Sequence, residues 1–275
     1  ASLITNLSLI QKLQERFRPL FPLMRGFFHQ KNNKEICTKI ALAYQNLSIS
    51  DDEALMKEMI DEPTLIIIVN YLDTTEISLK SACLKIVGNL ACVSSHITKK
   101  IVVEFGALES LEKMIDYHKP LVRREAIWVI SNIVSDGPEM IEKVIETTIF
   151  NKLLNSIIMD VDVVKEEALA VLVNALEIGD LRQAKIIFKL KLVECLGRTF
   201  ESENKRVVIR GLECTESALK RGKQIQEEEE EKVNPFRVEL EEEGIASSLE
   251  KLQRHDSDQV YEKVAKIIDT YWMWE

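Results

Sequence analysis

Turn formers are scarce in this chain. Its 275 residues include 9 glycines and 6 prolines, and aromatics make up only 6% beside 46% apolar residues. That balance fits helices stacked through Leu, Ile, Val and Ala, so the natural class is all-α. Long apolar runs are also missing. Leu65–Val69, with Tyr71 and Leu72 beyond Asn70, is far short of the ~20 residues a membrane-spanning helix needs, and the opening residues do not read as a signal peptide. No membrane partner is expected. Five cysteines, odd in number and scattered at helix-core spacings, make a disulfide framework improbable and point to a reducing compartment. The formal charge of −9 argues against nucleic acid and for basic or neutral partners.

The signatures of catalysis are missing too. The sequence has no phosphate-binding glycine loop, nucleophile elbow or metal-ligand spacing. Cys83, Cys92 and His96 come nearest to a ligand set, but their spacing matches no zinc motif and Cys83 sits at a core position of the repeat. No enzyme activity, metal or cofactor is expected.

What the chain does have is a period. Asn46, Asn89, Asn132 and Asn174 follow one another in steps of 43, 43 and 42 residues, each late in an apolar helical pattern. A repeat of that length belongs to stacked helical solenoids. Six residues before each asparagine stand Ile40, Cys83, Ala126 and Ala168, which read as helix core. Asn6 and Cys214 extend the register by one unit at each end. The last stretch departs from the period after Glu227–Glu231 and contains Asn234-Pro235, a turn signal. With Glu239, Glu241, Glu242 and Glu243, this region reads first as a solvated acidic loop and helix start.

The clearest unit breaks into helices over 95–104, 106–115 and 121–134, which is the armadillo pattern of three helices per repeat. Pro120 precedes the third helix and Gly137-Pro138 opens the next unit, where proline is tolerated. In the third helix Val122, Ala126, Val129, Ile130 and Ile133 form one inward stripe. Trp128 lies about 200° around from Ala126 and points away from that stripe. Glu125, Trp128 and Asn132, three and four residues apart, line a second face. An asparagine amide donates and accepts at once, so it can pair with a peptide backbone whatever the sequence. A tryptophan face attracts a Lys or Arg stem, and a carboxylate selects for positive charge. The competing reading is that Trp128 packs between adjacent repeats while Asn132 caps a neighbouring turn.

The string Arg124-Glu-Ala-Ile-Trp-Val-Ile-Ser-Asn132 resembles the third-helix signature of the importin-α (karyopherin-α) family. Lys85 through Asn89 resembles the family's repeat in which a basic residue replaces the tryptophan, and Lys165 through Asn174 resembles the repeat that follows Trp128. Asn234-Pro-Phe236, Leu252-Gln-Arg-His255, Tyr261-Glu-Lys263 and Ile267 to Tyr271 follow the family's closing repeat. The resemblance implies a right-handed superhelical armadillo solenoid over 1–275. Residues 1–16 would be a partial first repeat, 17–226 about five repeats, 227–233 an acidic loop and 234–275 a C-terminal capping repeat. Residues Ala1 to Leu7 read as the end of a third helix whose partners are absent, so a fragment is expected, lacking the first three repeats and the importin-β-binding segment.

By the same resemblance, a concave groove in the minor-site region would bind Lys/Arg-rich nuclear localisation signals, and the protein would work in cytoplasm and nucleus. Asn89, Asn132 and Asn174 would grip the peptide backbone, Trp128 would stack a basic side chain, and Glu125 and Glu167 would supply carboxylates. Lys85 fills the basic slot. Ala170 stands where the family has a second tryptophan, and Leu42 where an aromatic is expected. In the alternative, the C-terminal repeats bind protein partners such as an export receptor or nucleoporin without cargo binding, and importin-β is a partner only if a missing N-terminal segment exists. An armadillo scaffold of another kind would line its groove with Lys and Arg.

Overall fold

The computed structural model describes residues 2–8, 11–30, 33–49 and 53–272. Among them there is no strand. The chain divides into two compact units, Ala1–Asp136 and Gly137–Glu275.

In the first unit α1 (Ser2–Ser8) is followed by a 3₁₀ stretch (Gln11–Leu20), α2 (Phe21–His29) and α3 (Lys34–Leu47). The next turn of the repeat is α4 (Glu53–Met59), α5 (Glu62–Asn70) and α6 (Ile77–Ala91). The last is α7 (Ser95–Lys99) with its π-helical continuation Lys100–Glu104, α8 (Ala107–Ile115) and α9 (Pro120–Val134). Within this unit the third helices pack in series, α1 on α3, α3 on α6 and α6 on α9. The second unit contains α10 (Pro138–Ile145), α11 (Ile149–Met159) and α12 (Asp162–Ile178), then α13 (Leu181–Phe188), α14 (Leu192–Phe200) and the long α15 (Lys205–Glu228). It closes with α16 (Pro235–Glu242), α17 (Ile245–Leu252) and α18 (Asp258–Tyr271), and its third helices pack α12 on α15 and α15 on α18. The start of the partial repeat expected over 1–16 and the last residues of the capping repeat lie outside the described residues.

The reason for this order is visible in the punctuation. Pro120 and Pro138 sit in the first turns of α9 and α10, where the missing N–H costs nothing. Asn234 caps α16 by accepting from Phe236 N and Arg237 N, and its amide donates to Leu219 O of α15 at 2.8 Å. Phe236 then stacks on Phe188 of α13 with ring centroids 3.8 Å apart, so the closing repeat is tied both to the long helix and to its neighbour. Three first-to-second helix turns use a left-handed residue, Gly106 (φ 66°), Gly244 (φ 79°) and Lys191 (φ 69°).

The core is the set of inward stripes. Ile40, Cys83, Ala126 and Ala168, the position six before each asparagine, are all fully buried, as are Val122, Val129, Ile130 and Ile133 of α9. Fully burying an aliphatic side chain contributes about 1.5–3 kcal/mol, so each stripe holds its helix in the core and thereby fixes the opposite face. The expected extension through Cys214 needs correcting. Cys214 is fully buried, whereas Ser217, three residues on and 43 after Asn174, lines a cavity together with that asparagine.

Candidate peptide-binding faces

All four asparagines of the period, Asn46, Asn89, Asn132 and Asn174, are half-buried, and so are Leu42, Lys85, Trp128 and Ala170 four residues before them. A position spaced by one helical turn shares the face of its partner, so the third helices present a recurring pair. In the first unit the amide Nδ2 of each asparagine reaches the preceding third helix. Asn46 donates to Ser8 Oγ at 3.0 Å, Asn89 to Ser48 Oγ at 2.8 Å and Asn132 to Gly88 O at 3.0 Å. One N–H of each amide thus holds two repeats in register.

Trp128 of α9 is half-buried because its ring lies across Gly88 of α6, the packing between adjacent repeats that the competing reading describes. Any Cβ at position 88 would overlap the six-membered ring. The same Gly88 supplies the carbonyl for Asn132, so the tryptophan and the asparagine are positioned by one residue of the neighbouring helix. Sequence reasoning missed Gly88. Its signal was a glycine inside a helix, a position that costs about 1 kcal/mol relative to alanine and calls for a packing reason.

Glu125 also differs from expectation. It is 7% exposed, and both carboxylate oxygens are engaged from α6: Ser81 Oγ donates to Oε2 at 2.5 Å and Lys85 Nζ lies 3.3 Å from Oε1. Burying a carboxylate is costly unless it is paired and hydrogen-bonded, and these two partners meet that need. Lys85, Asn89, Glu125 and Trp128 come together around one cavity of about 370 Å³, joined by Gln45, Ile49, Leu121 and Arg124. Ile49 is 60% and Leu121 54% exposed, so the walls of this cavity are largely apolar.

In the second unit Glu167 and Asn174 are carried on α12, about two helical turns apart. Asn174 lines a second cavity of about 470 Å³ with Glu177, Glu213, Glu216 and Ser217. The carboxylates here have internal cations. Lys263 of α18 lies 3.5 Å from Glu213, Lys266 lies 2.7 Å from Glu216, and Arg210 lies 2.8 Å from Glu213. Among the described residues no group of His, Cys, Asp and Glu is arranged to hold a metal, and no helix is long and apolar enough to cross a membrane.

A family model described as an atypical Arm repeat matches residues 234–275. Importin subunit alpha-1a of Oryza sativa subsp. japonica is 28% identical over 262 residues, covering 95% of this chain and 49% of the relative. Importin subunit alpha-4 of Arabidopsis thaliana is 27% identical over 262 residues, covering 95% and 48%. The chain spans about half the length of these curated relatives. Among solved structures, a designed armadillo repeat protein in complex with the peptide (KR)4 is similar with a TM-score of 0.77 at 20% identity, covering 92% of this chain and 99% of that one. The chain is similar to importin-α subunits and has the all-α fold of armadillo-repeat proteins.

Proposed function

We propose that this chain is part of a nuclear import adaptor that binds Lys/Arg-rich nuclear localisation signals along the asparagine-bearing faces of its third helices, working in cytoplasm and nucleus. The observation that carries this reading is the recurring pair on those faces, above all Trp128 with Asn132 on α9 and Asn89 on α6. An asparagine amide has two N–H donors and an acceptor oxygen with two lone pairs. One N–H of Asn89 and of Asn132 goes to the neighbouring helix, which orients the amide and leaves it chemistry for a peptide backbone. The half-buried Trp128 ring offers apolar cover, and its face offers cation–π attraction of about 0.5–2 kcal/mol, to a lysine or arginine stem. In the second unit Glu167 and Asn174 carry the same roles of carboxylate and backbone clamp. The relatives are named importin subunit alpha, and one designed structural neighbour is bound to a (KR)4 peptide.

The test is an array of basic nuclear localisation peptides beside scrambled acidic peptides of equal length. Saturable binding of the basic set, weakening as salt rises because part of it is screened charge attraction, is the expected result. Equal retention of both sets would exclude the reading.

A second reading draws on the closing repeat. The family model falls on residues 234–275, and α18 brings Lys263 and Lys266 onto the carboxylates of α15, which lowers the appeal of that surface to a basic peptide. On this reading the C-terminal repeats dock a protein partner such as an export receptor or nucleoporin, and importin-β is a partner only if an N-terminal importin-β-binding segment exists.

A further inference from the structure

Counting from the first residue of each third helix lines the faces up by position. Glu125 and Trp128 are the sixth and ninth residues of α9, which starts at Pro120, and Lys85 is the ninth of α6, which starts at Ile77. Arg210 and Glu213 hold the sixth and ninth places of α15, from Lys205, and Lys263 and Lys266 hold them in α18, from Asp258. In the first unit the bridge between successive faces runs from a cation at the ninth place to a carboxylate at the sixth, Lys85 to Glu125 at 3.3 Å. In the second unit the signs are exchanged: Glu213 at the ninth place of α15 meets Lys263 at the sixth place of α18 at 3.5 Å. Glu216, three residues beyond Glu213, is its neighbour on the helix surface. Every oxygen of these two carboxylates faces a cation. Glu213 Oε2 lies 2.8 Å from Arg210 and Oε1 faces Lys263, while Glu216 Oε1 accepts from Lys266 Nζ at 2.7 Å and Oε2 lies 3.9 Å from Lys263. Both carboxylates line the cavity of about 470 Å³ that Asn174 also lines. They stand where a basic side chain of a peptide held by Asn174 would seek them, and the lysines of α18 are already there.

We propose that Lys263 and Lys266 are specificity determinants of the second unit: by claiming Glu213 and Glu216 they bar Lys and Arg side chains from the face of α15 and set where, within that unit, the basic-peptide surface stops. Without their charges the same face is a cation site, with Glu213 and Glu216 as its carboxylates and Asn174 as its backbone clamp. The inference rests on the third-helix faces being the peptide-binding surface and adds the limit of that surface. Partly exposed ion pairs contribute little to stability, so the block is electrostatic occupancy and its removal leaves the fold in place. Lys266, with 67% of its side chain exposed, is the safer of the two to change.

The experiment is a calorimetric titration of an alternating Lys-Arg peptide into the parent, Lys266→Met, Lys263→Met/Lys266→Met, and that double variant carrying also Glu213→Gln/Glu216→Gln. Methionine keeps the stem of the lysine and removes its charge. A control, Lys189→Met/Lys251→Met, makes the same change of net charge at exposed lysines outside the cavity. Thermal melts establish folding, and Lys266→Met carries the test if the double variant does not fold. Two uncovered carboxylates predict binding roughly three- to tenfold tighter in the double variant, or a second site per chain. Lys266→Met should show part of that gain, the control should stay near the parent, and the added glutamines should return binding to the parental level. If the double variant binds no better than the control, the proposal is wrong while basic-peptide binding by the parent stands. A gain that survives the glutamines also overturns it, because the carboxylates are then not the site. Binding by the double variant but not by the parent would support the proposal and remove the role given to Trp128 and Asn132. Failure of every protein to bind overturns this inference together with the reading beneath it.

Discussion

Trp128 and Gly88 are in direct contact across two third helices, so close that position 88 has no room for a Cβ. Gly88 also accepts the hydrogen bond of Asn132 at 3.0 Å, which makes one glycine the seat of both the stacking ring and the backbone clamp. Gly88→Ala should therefore do two things at once. Forcing a methyl group into that contact should cost about 1–3 kcal/mol of stability, read as a lower urea midpoint, and should turn Trp128 outward, read as a red-shifted emission. A variant with parental midpoint and emission would show that the contact is loose.

Lys191 provides a prediction of opposite sign. It holds φ 69° at the turn into α14, where Gly106 and Gly244 occupy the equivalent turns into α8 and α17. The left-handed conformation costs a non-glycine residue about 1–2 kcal/mol, and glycine's larger unfolded-state entropy offsets about 0.5–1 kcal/mol of the gain. Lys191→Gly should leave the protein more stable by roughly 0.5–1 kcal/mol by that difference. A loss of stability would mean that the lysine side chain makes contributions larger than its backbone strain.

The thiols should separate cleanly by reactivity. Cys37, Cys83, Cys195 and Cys214 are fully buried and Cys92 is exposed. Burial pushes the Cys195 thiol up to about 12, with nearby Glu194 adding to the rise, and pushes the Cys83 and Cys214 thiols up further still. Burial also raises Cys92, but its sulfur alone is within reach of solvent. Because the thiolate is the nucleophile, native labelling with a maleimide at neutral pH should stop at one thiol, Cys92, and reach the others only in denaturant. Mass spectrometry after native labelling decides it; modification of Cys83 or Cys214 would contradict the packing of the third helices.

How much of this was legible in the sequence follows from what a period can carry. The fully buried set Ile40, Cys83, Ala126 and Ala168 was readable because helix faces repeat and a stripe of apolar residues has only one place to go. The helix breaks at Pro120, Pro138 and Asn234-Pro235 were readable because those residues act on their own backbone. The state of Glu125 was not. Its partners Ser81 and Lys85 stand on the preceding third helix, and a carboxylate one face away from the core stripe looks solvent-facing in a single helix. The same limit hid the Trp128–Gly88 contact; the register through Cys214, 40 residues after Asn174, departed from the period that spacing alone carries to Ser217.

The proposed binding of basic peptide on the third-helix faces depends above all on the tryptophan and asparagine of α9. Replacing Asn132 by alanine removes a backbone clamp worth about 0.5–1.5 kcal/mol net, and Trp128→Ala should cost more because stacking and apolar cover are lost together. The direct measurement is a calorimetric titration of a Lys/Arg-rich signal peptide into the parent and into the Trp128→Ala/Asn132→Ala double variant, with thermal melts to establish that both are folded. The double variant should lose about tenfold or more in affinity. Equal affinity for the two folded proteins would contradict it and move the function to the partner-docking surface of the C-terminal repeats.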